Sequence, residues 1–106
     1  MERTGIEEEA VIRLTSEIQP DRLRQIVSEC LRGDVSPASA LCELVRTGDL
    51  EVARRVIDQV THKAATISRA GDNLVRDRAD ELTQLFVEAD VGCADGEQLI
   101  RKLGLR

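Results

Sequence analysis

A chain of 106 residues with a single aromatic side chain, Phe86, has to build its interior from leucine, valine, isoleucine and alanine. Without Trp or Tyr there is little bulk to span a wide interior, and closely packed helices suit that supply of side chains. The length fits one hydrophobic core. Hydrophobic residues at 42% and charged residues at 33% give enough apolar surface to fold and a charge balance unlike that of disordered chains.

The spacing of the aliphatic residues places the helices. Glu7, Glu8 and Glu9 suit a first turn, and Ala10, Val11 and Leu14 follow at helical spacing, predicting a helix over about 5–17. Pro20 fits the first position of a second helix, where Leu23, Ile26, Val27, Cys30 and Leu31 form one stripe that should stop at Gly33. Ser36-Pro37 reads as the cap and first turn of a third helix with an apolar face of Ala38, Leu41, Cys42 and Val45, flanked by Leu44. Gly48 closes it and Asp49 caps the next, so Thr47-Gly48-Asp49 is a tight turn between antiparallel helices.

From there Leu50, Ala53, Ile57, Val60, Ala64, Ile67, Gly71 and Leu74 alternate steps of three and four, as in a heptad seam, on a helix expected to reach at least Arg69. Ala70-Gly71-Asp72-Asn73 reads as a helix end and a new cap, with one continuous helix as the alternative. Val75, Ala79, Leu82, Phe86 and Ala89 set a second seam of different phase. Residues 91–96 read as a loop, and Leu99, Ile100 and Leu103 as a last short helix. No strand-like alternation occurs. The expected fold is all-α, a small bundle of five to six helices with one long helix or helical hairpin over about 49–90. Residues 1–106 form one domain, with the helix of residues 1–19 loosely attached.

The stretch from Gly48 through Ile57 is similar to the second half of an ankyrin-type repeat, and Glu88-Ala89-Asp90-Val91 to the turn that follows one. The Thr-Pro-Leu-His opening is absent and no copy recurs at a period of about 33 residues, so no family is assigned. A DNA-binding helix-turn-helix over Leu41–Ile57 is disfavoured by Leu44, where a small residue is needed, and by Asp49 and Glu51, where phosphate contacts belong.

The net charge is −5 and the basic residues are dispersed, so nucleic acid is not an expected partner. Met1–Ile18 lacks the basic start and apolar run of a secretory signal, and no stretch approaches the roughly 18 apolar residues of a membrane span. With three cysteines in no short pairing, reduced thiols and a cytoplasmic location are expected.

Catalytic material is thin. His62 is the sole histidine and falls off the apolar seam, as a solvated residue would. Cys30 and Cys42 lie on apolar faces, where a thiol behaves as a small hydrophobe, while Cys93 sits in a loop before a helix start at Asp95, where a thiolate would be favoured. No phosphate loop accompanies Gly92 and Gly96. Most charges pair along helix surfaces: Glu51 with Arg55, Arg54 with Asp58, Asp72 with Arg76, Arg76 with Asp80, and Glu97 with Arg101.

The expected role is therefore a non-enzymatic protein–protein interaction module, an adaptor or regulatory subunit without cofactor or metal. Its partner is another protein or a second copy in a homodimer formed through Leu50, Ala53, Ile57, Val60, Ala64, Ile67 and Leu74. The alternatives are a metal- or thiol-based sensor using Cys30, Cys42, Cys93 and His62, and a helical accessory domain or subunit of a larger enzyme.

Overall fold

A computed structural model describes residues 5–66 and 73–104, with side chains from Glu8 onward. Among the described residues the chain forms six helices and no strand: α1 Gly5–Thr15, α2 Asp21–Arg32, α3 Pro37–Thr47, α4 Leu50–Ala64, α5 Asn73–Asp90 and α6 Gly96–Lys102. None is long and apolar enough to cross a membrane. The all-α bundle holds, with α4 and α5 as two separate helices packed on each other.

Local chemistry sets most helix ends. Gly33 takes φ +90° and closes α2 in a Schellman arrangement, with the N–H of Gly33 donating to Cys30 O and that of Asp34 to Glu29 O. Ser36 Oγ accepts from the N–H of Ser39 at 3.2 Å, and Asp49 Oδ1 accepts from that of Val52 at 2.8 Å, so both caps lie where the sequence put them. Gly48 is needed for space: a Cβ would stand 2.7 Å from Val52 Cγ1. Asp95 caps α6 through Gln98 N–H, and the Gln98 side chain accepts from Ala94 N–H in return. Pro20 is the N-cap of α2 and not its first helical residue.

The core is one cluster drawn from all six helices, and α5 packs against each of the other five. Ala10, Val11, Leu14 and Ile18 are at most 1% exposed, so α1 contributes side chains to this core. It is also tied to α2 by a buried polar pair: Ser28 Oγ donates to Thr15 Oγ1 at 3.3 Å, and Thr15 Oγ1 donates to Val11 O at 2.8 Å. Arg32 and Glu8 add a partly buried contact, Nη2 to Oε2 at 2.7 Å.

Three expectations need correction. α4 ends at Ala64, short of Arg69, and Ala65 and Thr66 form a turn. Leu74 is 46% exposed, while Val75 beside it is buried, so the seam does not run on into α5. In α3 the buried face is Ala40, Leu41, Cys42, Leu44 and Val45, and Ala38 lies only half-buried at its edge. Ile67, Gly71 and Asp72 fall outside the described residues.

Candidate functional site

Where α3 begins, the bundle leaves a groove. The turn at Gly33 sends the chain back so that α3 starts beside the middle of α5. Arg78 of α5 fixes this crossing: its Nη1 donates to Leu31 O, an end carbonyl of α2, at 2.9 Å. The guanidinium lies over Gly33, where a Cβ would come within 3.0 Å of Cζ. A cation at a helix C-terminus meets the negative end of its dipole.

α3 and α5 pack against each other, and beyond Arg78 the start of α3 leaves a shallow surface beside α5. A depression of about 520 Å³ remains, with Pro37, Ala38 and Leu85 half-buried along its floor and Asp80, Glu81, Gln84 and Glu88 exposed along its α5 side. It adjoins a second depression of about 290 Å³ that shares Ser36, Pro37 and Glu81 and reaches back to Cys30 and Arg78. Gln84 Nε2 donates to Glu88 Oε2 at 3.0 Å. Among the described residues Asp80, Glu81 and Glu88 form no ion pair. The groove is thus apolar below and negatively charged along one wall.

The reactive residues are scattered. Cys30 is buried in α2, and its thiol is pushed up to about 11, first by desolvation and then by the charge of Glu81, with Arg78 opposing. Cys42 is buried in α3 and burial raises its thiol as well. Neutral, enclosed thiols are poor nucleophiles and poor ligands at neutral pH. Cys93 is half-buried between α5 and α6 and donates from Sγ to Ala89 O at 3.1 Å. His62 is exposed on α4, in a shallow depression with Glu17, Asp58 and Lys63. Among the described residues no group of three or more His, Cys, Asp or Glu could hold a metal ion.

The expected interaction seam is placed just as plainly. Leu50, Ala53, Ile57, Val60 and Ala64 are between 0% and 5% exposed, enclosed by the chain's own helices, and Val56 joins them at 3%. These form core within one copy of the chain, whereas Leu74 is exposed and Ile67 lies outside the described residues.

No match was found among known protein families, curated proteins or solved structures. What distinguishes the surface has to be read from the chain itself.

Of the surface charges, Glu97 pairs with Arg101 at 3.8 Å as spacing suggests. Arg54 does not pair with Asp58. It grips Asp90 with Nε and Nη2 at 3.0 and 3.1 Å, contacts Glu51 at 3.2 Å and reaches Cys93 O at 3.5 Å, joining the start of α4 to the end of α5. The bond to Asp90 is the main reason its guanidinium holds its proton more tightly than usual. The groove itself was missed at the sequence level because Ala38 reads as part of the third helix's apolar face and Leu85 falls beside the seam of Val75, Ala79, Leu82, Phe86 and Ala89. The one available signal was the density of carboxylates on a single face of α5: Asp77, Asp80, Glu81 and Glu88.

Proposed function

We propose that this chain is a non-catalytic protein-interaction module, an adaptor or regulatory subunit, and that its docking site is the groove between the start of α3 and α5. The observation that carries the reading is the half-buried apolar floor of Pro37, Ala38 and Leu85 beside a carboxylate wall. Grooves between helices are a recurrent receptor for protein segments. The placement of Cys30, Cys42, Cys93 and His62 on separate elements gives no support to the sensor alternative. An accessory subunit of a larger enzyme is the same reading with the partner specified.

The test is photo-crosslinking in the native host. A crosslinking residue at position 84, on the groove wall, is expected to trap one discrete protein, and Leu85→Asp in the same chain to abolish it. The same residue at exposed Arg55 on α4 should trap nothing. Equal labelling from both positions, or none from position 84, overturns the proposal.

A further inference from the structure

Resting on that docking reading, we infer that the occupant of the α3–α5 groove is a basic amphipathic helix of a partner protein. The charge of the groove decides the sign. Asp80, Glu81 and Glu88 are exposed carboxylates without ion pairs among the described residues, and the groove they border has no basic residue in its lining. The capped N-terminus of α3 carries partial positive charge on the opposite side, so an incoming cation is directed to the α5 wall.

The spacing decides the shape. Glu81 and Glu88 are seven residues apart on α5, two helical turns or about 10 Å, with Leu85 between them on the floor side. A helix lying alongside α5 meets that pattern with Lys or Arg at i and i+7 and aliphatic residues at i+3 and i+4 set onto Pro37, Ala38 and Leu85. A β-strand would need a strand edge to receive its backbone N–H and C=O groups, and the described residues contain no strand, while a polyproline segment docks on aromatic side chains, of which this groove's lining has none. A helix satisfies those groups internally.

A second copy of this chain is a poorer occupant. A two-fold contact across α5 would set the carboxylates of one copy against those of the other. The basic helix available for a head-to-tail contact, α6 with Arg101 and Lys102, already spends its apolar face on the core, where Leu99 is fully buried.

The experiment uses the purified full chain and three synthetic helical peptides with the same leucine spacing, carrying lysine, serine or glutamate at the flanking positions. Binding is followed by calorimetry and by amide chemical shifts. The lysine peptide is expected to bind with shifts confined to residues 36–38 and 80–88 and to weaken steeply with salt. Glu81→Gln with Glu88→Gln, both exposed and harmless to folding, should weaken it about tenfold, the effect of losing two partly shielded charge contacts. Asp58→Asn with Glu97→Gln changes the net charge equally elsewhere and should leave the affinity unchanged. If the serine or glutamate peptide occupies the groove as well as the lysine peptide, the basic occupant is wrong while the docking site stands. If the lysine peptide shifts residues all over the acidic surface, or no peptide perturbs the groove, the inference fails, and the crosslink at position 84 judges the docking reading separately.

Discussion

The seam of α4 and the groove beside α5 start from the same materials and end differently. Both line up aliphatic side chains along a helix, Leu50 through Ala64 in one case and Leu85 with Pro37 and Ala38 in the other. The seam is closed because α4 is flanked by α1, α3 and α5. The groove stays open because α3 begins there and the next neighbour, α2, has already turned away at Gly33. Periodicity tells which face of a helix is apolar, while the number of helices around it decides whether that face becomes interior or surface.

The sharpest way to break the comparison is a charge in the seam. Ala64→Glu places a carboxylate at a position 5% exposed and is expected to cost about 3–5 kcal/mol in urea unfolding, the penalty for a buried unpaired charge. A variant as stable as the parent, accompanied by loss of a dimer in light scattering, would instead show the seam to be a contact between copies. Leu31→Ala, at a fully buried site just under the Arg78 crossing, is expected to cost about 2–4 kcal/mol.

Gly96→Ala comes next. A Cβ there would overlap Val45 Cγ1, so thermal melts should show a loss of about 1–3 kcal/mol, largely recovered when Val45 is also cut to Ala. Asp49→Ala removes the cap of α4 and should cost about 1 kcal/mol in the same assay without altering peptide binding. The smallest stability effect belongs to the groove: Glu81→Gln is expected to change unfolding by less than about 0.5 kcal/mol, since it is exposed and unpaired. A seam that costs nothing to charge, or a groove that costs much to neutralise, would reverse the assignment of core and surface.

Elements set by neighbours in sequence were legible from the sequence. Gly33, Ser36, Asp49 and Asp95 act on backbone groups at most a few residues away, and each does what its residue type implies. Features that depend on distant partners were not. Asp58 lies four residues from Arg54 and Asp90 lies 36 away, yet Asp90 holds the guanidinium because two helix ends meet there. The Thr15–Ser28 bond likewise joins residues whose hydroxyls give no hint of each other in the sequence. α4 ended early because the seam continues on paper through residues whose apolar character says nothing about whether the backbone turns at Ala65. Of the candidate site, the acidic face of α5 could be read from spacing, but its facing floor of Pro37 and Ala38 came only from the way α3 crosses it.

The contacts of α5 with every other helix set a condition on how the chain comes into being. During synthesis the first four helices leave the ribosome before α5 does. Leu23, Leu41, Leu44 and Val60 then belong to a core that still lacks Val75, Ala79, Leu82 and Phe86. For that interval the nascent chain carries its greasiest faces uncovered, and the arrival of one late helix converts an adhesive intermediate into a finished protein.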